Sequence, residues 1–159
     1  LPLNYVPFSI MEVVKHIYRL LEPRAQEKNI TLAIDDTAVE NDYVWADKAI
    51  IERVLENLIG NALKFTPQDG QITICAEPIP DKQQLKISVA DTGNGIDPNV
   101  LPKIFEKFTA GKSNGSKGNG LGLAFCKMAL DAHRQRIWVE RSTQEGAVFS
   151  FTLAVPQEE

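Results

Sequence analysis

The segment from Ile51 to Thr66 reads as a single amphipathic helix, and its pattern limits the folds open to the rest of the chain. Turning by about 100° per residue, the segment gathers its apolar side chains into one arc. That arc is formed by Val54, Leu55, Leu58, Ala62 and Phe65. Asn57, Asn61 and Lys64 stand at positions i, i+4 and i+7, so they share one face at the edge of the arc. The helix therefore has to bury one side against a second layer of structure.

The three polar residues at this edge indicate a ligand that carries both a metal ion and negative charge. A carboxamide oxygen can ligate a hard cation such as Mg²⁺, and a lysine ammonium can meet phosphate. Asn57 and Asn61 are then candidate metal ligands, and Lys64 is a candidate phosphate contact. The residues alone leave an alternative open, in which two core asparagines bond to each other beside a solvated lysine.

Composition narrows the class of protein. The chain has 159 residues, 43% of them hydrophobic, with a formal net charge of −4, so we expect one soluble domain that binds no nucleic acid. It has neither an apolar run of the roughly 18 residues that span a bilayer nor a signal peptide, so we expect no direct membrane contact. Cys75 and Cys126 lack metal-ligand spacing and are predicted to be reduced core residues in the cytoplasm. Because the first residue is Leu1, we expect a domain of a longer protein.

Alternating helical and strand patterns predict the fold class. A capping pair, Ser9 and Glu12, opens a predicted helix that runs to about Lys28. Asp47 is the predicted N-cap of the asparagine-bearing helix, which stops near Thr66. A third helix is predicted over 121–133, and strands over 29–35, 43–46, 71–77, 84–91, 136–141 and 147–154. The pattern favours an α+β fold, a two-layer α/β sandwich in which helices cover one face of a mixed, mostly antiparallel sheet.

Seven of the ten glycines lie between Gly93 and Gly122, so backbone freedom is concentrated in one stretch. In the sequence D-T-G-N-G-I, Asp91 ends a strand, and Gly93 and Gly95 follow it. A carboxylate there can accept a hydrogen bond from an exocyclic amine such as that of adenine. A tight turn after a strand-end aspartate would give the same pattern.

The sequence G-N-G-L-G-L, from Gly118 to Leu123, stands directly before a predicted helix. Its amides and the helix N-terminus can hold phosphate oxygens, although a glycine-rich hinge would look the same. The nearby sequence G-K-S at 111–113 resembles the end of a P-loop, but Glu106 stands where the first glycine of that motif belongs. The segment that begins at Gly118 is not a dinucleotide fingerprint either, because Leu123 stands where the third glycine would be.

The order of these segments resembles the ATP-binding catalytic domain of sensor histidine kinases of two-component systems, which belongs to the GHKL superfamily with the Bergerat fold. The resemblance rests on Asn-x-x-x-Asn-x-x-Lys, D-x-G-x-G, a Phe-x-x-Phe pair at Phe105 and Phe108, a polar loop, and G-x-G-L-G-L. It implies ATP and Mg²⁺ as ligands. It assigns Mg²⁺ to Asn57 and Asn61, and the phosphates to Lys64.

The resemblance also implies the remaining nucleotide contacts. Asp91 would read the adenine amine in a pocket shaped by Gly93 and Gly95, with Phe65 and Ile96 near the base. A flexible lid over 109–117, anchored by the two phenylalanines, would cover the nucleotide. The lid and the phosphate-facing helix start would contribute Phe108, Lys112, Lys117, Gly118, Gly120, Leu121, Gly122 and Leu123.

The activity implied is transfer of the ATP γ-phosphate to a histidine on a separate dimerisation domain, which we expect to be absent from residues 1–159, and then to a response regulator. His16 and His133 lack the family's phosphoacceptor pattern and are interpreted as structural. The expected location is cytoplasmic, in a parent protein that can be membrane-anchored. Two alternatives stay open: a hydrolytic ATPase of the same superfamily, and a degenerate nucleotide-sensing interaction module.

Three positions depart from what the superfamily or family usually carries. Related ATPases carry glutamate at the position of Asn57, where it acts as a general base, so we expect slow hydrolysis here. Arg134 and Gln135 stand where the family usually has two glycines, so we expect the third helix to end in another geometry. The predicted lid is also shorter than many.

Overall fold

A computed structural model describes residues 2–107 and 120–157. Within these residues lie three α-helices, one short 3₁₀ helix and seven strands. In chain order they are β1 (Tyr5–Ser9), α1 (Ile10–Glu27), β2 (Thr31–Asp35), β3 (Tyr43–Asp47), α2 (Lys48–Phe65), β4 (Gln71–Ile79), β5 (Gln84–Asp91), the 3₁₀ helix (Leu101–Lys103), α3 (Gly122–Ala132), β6 (Ile137–Thr143) and β7 (Gly146–Ala154).

The seven described strands form one sheet in the order β1-β3-β7-β5-β4-β2, and β6 also pairs with β7. β2 runs parallel to β4, and the other described pairs are antiparallel. The predicted α/β architecture with a mixed, mostly antiparallel sheet is therefore confirmed. The predicted flexible lid falls outside the described residues. None of the described helices is long and apolar enough to cross a membrane.

Burial along the central strands alternates with a period of two, which separates the sheet into two faces. The inner face carries Ile72, Ile74 and Ala76 of β4 and Leu85, Ile87 and Val89 of β5, all buried. The outer face carries polar groups that bond to one another across strands. The Lys86 ammonium lies 2.8 Å from the Glu140 carboxylate, and the Ser150 hydroxyl donates to that carboxylate at 2.9 Å. The helices thus cover the apolar face alone.

Helix α2 lies at the centre of the inner layer, between α1, α3 and the sheet. Its buried side chains are Ile51, Val54, Leu55, Leu58, Ile59, Ala62 and Leu63. Burying one large aliphatic side chain is worth about 1.5–3 kcal/mol, so this face fixes the rotation of the helix. The asparagines at its edge are consequently half-buried, as the sequence pattern predicted.

Asp47 joins three parts of the molecule at the start of α2. Its carboxylate caps the helix by accepting from the Ile50 amide at 3.3 Å, and it also accepts from the Asn4 amide at 3.0 Å. The Asp47 amide donates to Nε2 of His133 at 3.0 Å, and Nδ1 of the same ring lies 2.7 Å from the Ala129 carbonyl. Because Nε2 accepts, the ring is neutral with its proton on Nδ1. His133 is 4% exposed, which agrees with a structural role.

Two features differ from the expectations. Strand β1 was not predicted, because Pro7 interrupts its pattern. It is an edge strand that pairs with β3, and an edge strand can hold a proline without losing a hydrogen bond of the sheet.

Cys75 does not lie in the core, since it is half-buried on the outer face of β4. Cys126 is buried, and burial raises the pKa of its thiol to about 12.

The end of α3 corrects a prediction from the missing glycines. The Gln135 amide donates to the Leu130 carbonyl at 2.8 Å and the Arg134 amide to the Asp131 carbonyl at 2.9 Å, which together form a Schellman motif. Arg134 has φ +57°, in the left-handed region. The helix therefore ends in the geometry that glycine usually supplies, with arginine in the glycine position, and the expectation of another geometry was wrong.

Arg134→Gly should stabilise the fold. The left-handed conformation costs a residue with a Cβ atom about 1–2 kcal/mol, and glycine avoids this cost. Glycine also loses more conformational entropy on folding, which offsets part of the gain. We expect a net gain of about 0.5–1 kcal/mol in the free energy of unfolding, measured by urea denaturation. Arg134→Ala is the matched control, because it removes the side chain but keeps the Cβ atom. Equal stability of the two variants would contradict this account.

Candidate functional site

A cavity of about 160 Å³ opens between α2, the inner face of β5 and β7, and the turn after β5. It combines apolar walls with a few convergent polar groups, which is the usual character of a small-molecule site. Its lining consists of Leu58, Asn61, Ala62, Phe65, Val89, Asp91, Gly93, Asn94, Gly95, Ile96, Asp97, Val100, Ile104, Ala147 and Phe149.

Helix α2 supplies one wall and part of the rim. Asn61 and Phe65 line the cavity, one turn apart. Asn57 lies one turn earlier, beside the start of α3. A Cβ atom added to Gly122 would stand 3.0 Å from the carboxamide oxygen of Asn57. Lys64 is exposed, with its ammonium 5.9 Å from the centre of the Phe65 ring. The predicted polar face therefore runs from the cavity towards solvent.

Asp91 is the half-buried carboxylate among the polar groups that line the cavity. One carboxylate oxygen, Oδ1, accepts from the Gly93 amide at 2.8 Å and from the Ala147 amide at 3.3 Å. Burial raises the pKa of this carboxyl, and the two amide hydrogen bonds offset part of that rise. The other oxygen, Oδ2, has no hydrogen-bond partner among residues 2–107 and 120–157. It is free to accept from a ligand.

The turn after Asp91 requires glycine at Gly95. Its φ is +78°, and an added Cβ atom would stand 2.1 Å from the Thr143 carbonyl oxygen. The Ile96 amide, next in the chain, donates to the Ser142 hydroxyl at 2.8 Å. The turn is therefore held against the end of β6, and the side chain of Ile96 is presented to the cavity.

The start of α3 lies beside Asn57. Gly120 is buried with φ +73°, and Leu121 is 36% exposed. The side chain of Leu123 is 2% exposed and belongs to the hydrophobic core, so only its main chain can contribute to a ligand site. The first amides of α3 carry the positive end of the helix dipole, which favours an anion.

The structure brings part of the predicted set into one cavity. Asn61, Phe65, Asp91, Gly93, Gly95 and Ile96 line it together. Asn57, Lys64 and the residues 120–123 lie outside the lining, on α2 or at the start of α3. The predictions for Phe108, Lys112, Lys117 and Gly118 fall outside the described residues.

Sequence reasoning did not assign nine of the lining residues to the site: Leu58, Ala62, Val89, Asn94, Asp97, Val100, Ile104, Ala147 and Phe149. Ala147 and Phe149 alternate with outward residues along β7, so they were predictable as inward-facing. Their position beside Asp91 depends on the pairing of β5 with β7, with Val89 opposite Phe149, and no local pattern specifies that register. Phe105 packs edge-on against Phe149, with ring centres 6.1 Å apart, and so supports the wall from behind.

The donor groups fit a metal ion held mainly by phosphate and water. Among the described residues, no group of three or more His, Cys, Asp and Glu side chains could hold a metal by itself. Mg²⁺ commonly keeps several waters and needs few protein ligands when substrate phosphates complete its shell. The carboxamides of Asn57 and Asn61 are oxygen donors of the required kind.

Comparisons with known proteins agree with this geometry. Residues 46–157 match the family described as histidine kinase-, DNA gyrase B-, and HSP90-like ATPase. The chain is 34% identical over 152 residues to the adaptive-response sensory kinase SasA of Synechocystis sp., covering 94% of this chain and 39% of that protein. The chain therefore spans well under half the length of this relative.

Solved structures give the same result over the whole fold. The catalytic domain of histidine kinase ThkA matches with a TM-score of 0.82 and 30% identity, covering 96% of both chains. Another structure holds ThkA in complex with the response regulator protein TrrA, with a TM-score of 0.77, 29% identity, and coverage of 94% of this chain and 41% of that one. Full-length ShkA in complex with AMPPNP matches with a TM-score of 0.85 and 31% identity over 99% of this chain and 33% of its own. This chain belongs to the histidine kinase-, DNA gyrase B- and HSP90-like ATPases, and within that family it is a histidine kinase catalytic ATP-binding domain.

Proposed function

We propose that this domain presents Mg²⁺-bound ATP to a histidine on a separate dimerisation domain of the same parent protein. The γ-phosphoryl group then passes from that histidine to the receiver domain of a response regulator. The single observation that carries the proposal is the half-buried carboxylate of Asp91, which lines the cavity and has one oxygen without a hydrogen-bond partner among residues 2–107 and 120–157. Such a site suits a flat, apolar base with one exocyclic amine.

Adenine would bind in the part of the cavity lined by Asp91, Phe65 and Ile96, which we call the base end of the site. Its exocyclic amine would donate to Oδ2 of Asp91, while Oδ1 stays occupied by the two backbone amides. Phe65 and Ile96 would cover the ring faces. Guanine has a carbonyl where adenine has this amine, so an ionised Asp91 would repel it.

The phosphate end would lie towards the exposed side of α2. Lys64 and the first amides of α3 would meet phosphate oxygens, and Asn57 and Asn61 would hold Mg²⁺. When bound, the metal would neutralise charge on the phosphates. The protein's own contribution is to fix the γ-phosphorus in line with an incoming nucleophile.

The transfer needs no general base from this domain. A neutral imidazole nitrogen of the partner histidine would attack the γ-phosphorus, the bond from that phosphorus to the bridging oxygen would break, and ADP would leave. Asn57 cannot accept a proton from water, and Glu56 is exposed on another side of the helix. Water attack should therefore be slow.

The partners and the cellular location belong to the proposal. ThkA has been solved with its response regulator protein, and its catalytic domain shares this fold. The curated relative SasA is much longer than this chain, which leaves room for a histidine-bearing dimerisation domain. We place the domain in the cytoplasm, where ATP is available.

Asp91→Asn should weaken ATP binding, because the amide would turn a donor or a weaker acceptor towards the adenine amine. Hydrogen bonds to charged groups are worth about 1.5–3 kcal/mol, so Kd should rise roughly 10- to 100-fold. Calorimetric titration measures this. In the wild type, affinity should fall as acid protonates Asp91, at a pH above that of an ordinary aspartate, since burial raises its pKa. The variant should lack that component of the pH profile.

The same substitution should stabilise the ligand-free fold at neutral pH. The pKa of Asp91 is raised in the folded state, so the protonated carboxyl is favoured there, and stability is lost as pH rises from the unfolded pKa through the folded one. Asparagine removes this charge and keeps an acceptor for the Gly93 and Ala147 amides. Thermal denaturation at pH 7 should give a higher Tm for Asp91→Asn. A lower Tm would contradict the sign of the shift.

Asn61→Ala should remove most of the Mg²⁺ dependence of ATP binding. The measurement compares Kd with Mg²⁺ and with a chelator, since only the first value contains the metal contact. Glu56→Gln is the matched control, on the same helix but exposed and away from the cavity. If Asn61→Ala keeps the full difference between the two conditions, the metal assignment is wrong.

The activity itself is tested with the parent kinase's dimerisation domain and [γ-³²P]ATP. The domain should phosphorylate the histidine in that partner, while its own release of phosphate from ATP stays slow. Fast hydrolysis without a partner would favour the hydrolytic ATPase. Absence of ATP binding would favour an interaction module that has lost its nucleotide site.

A further inference from the structure

The end of β6 and the start of β7 hold Asp91 and the turn that follows it through three contacts. A Cβ atom added to Gly146 would stand 1.9 Å from the Asp91 carbonyl oxygen, so the two backbones touch. The Ala147 amide reaches the Asp91 carboxylate, and the Ser142 hydroxyl accepts from the Ile96 amide at 2.8 Å. The base end of the cavity is therefore built partly on this hairpin.

A bulge in β6 directs Ser142 towards the cavity. Val139 pairs with Phe149 on the inner face, and the register shifts before Arg141, which pairs with Val148. Glu140 and Arg141 consequently both face outward, and Ser142 turns inward opposite Ala147, a cavity-lining residue. Without the extra residue, strict alternation would point Ser142 to the outer face.

We propose that Ser142 is a positioning residue of the adenine pocket, acting through the main chain of Ile96. It touches no substrate itself. Its hydroxyl fixes the amide of Ile96, and this bond sets the distance between the Ile96 side chain and Phe65 across the cavity. Loss of the hydroxyl would leave a half-buried amide unpaired and release the turn at its far end, while the Asp91–Gly93 bond would remain.

This inference rests on the proposed binding of ATP and is tested in the same titration. We would measure Kd for ATP with the wild type, Ser142→Ala, Ser142→Thr and Ser88→Ala. Ser88→Ala is the matched control, because Ser88 is also a half-buried strand serine with one side-chain hydrogen bond, 2.9 Å to Ser150, on the outer face. Ser142→Ala should raise Kd roughly tenfold, and threonine, which keeps the hydroxyl, should restore binding.

Amide hydrogen exchange supplies a readout that general loosening would not give. In Ser142→Ala the Ile96 amide should exchange roughly tenfold faster, while the Gly93 amide, bonded to Asp91, keeps its rate. If Ser142→Ala does not fold, Ser142→Cys keeps the shape with a weaker acceptor and gives the same comparison. Wild-type protein that fails to bind ATP would refute the proposed function. Wild-type binding with equal Kd in Ser142→Ala and Ser88→Ala would refute the role of Ser142 alone.

Discussion

The packing of α2 against the sheet and the two other helices is the constraint on which the rest of the structure depends. Its buried aliphatic face fixes the rotation of the helix, and this rotation leaves Asn57 and Asn61 half-buried at the margin. The position of the polar face is thus a by-product of apolar burial. A change of core shape beneath Leu58 would move the candidate metal ligands without touching them.

Asp91 shows how function and stability oppose each other at this site. A half-buried carboxylate is costly to ionise, yet only the ionised form accepts hydrogen bonds without also donating one. Two backbone amides reduce the cost without consuming both oxygens. The surrounding glycines serve the same end, because Gly146 brings β7 close enough for the Ala147 amide to reach the carboxylate.

Much of this arrangement could be predicted from the sequence, because the spacing of apolar residues along a short segment indicates whether it is a helix or a strand and which face is buried. The helix face of Asn57 and Asn61, the strand-end position of Asp91 and the two-layer fold all follow from such patterns. The contacts of Ala147 and Ser142 could not be predicted, since they depend on strand register and on one bulge. The end of α3 misled the prediction for a different reason: tertiary contacts at His133 sustain a left-handed arginine that local preference disfavours.

The pairing between β3 and β7 is short, and this affects how the β1–β3 ribbon is connected to the rest of the domain. The two strands meet at one residue pair, Trp45 with Ala154, whereas β5 pairs with β7 along residues 84–90. The ribbon formed by β1 and β3 is thus joined to the main sheet at one residue pair, and Asp47, two residues after Trp45, caps α2. Because β1 leads directly into α1 and β3 directly into α2, the continuous chain couples the ribbon to both helices, whereas a single residue pair couples it to the rest of the sheet. A displacement of this ribbon would therefore reach the helix that carries the asparagines through the main chain at Asp47.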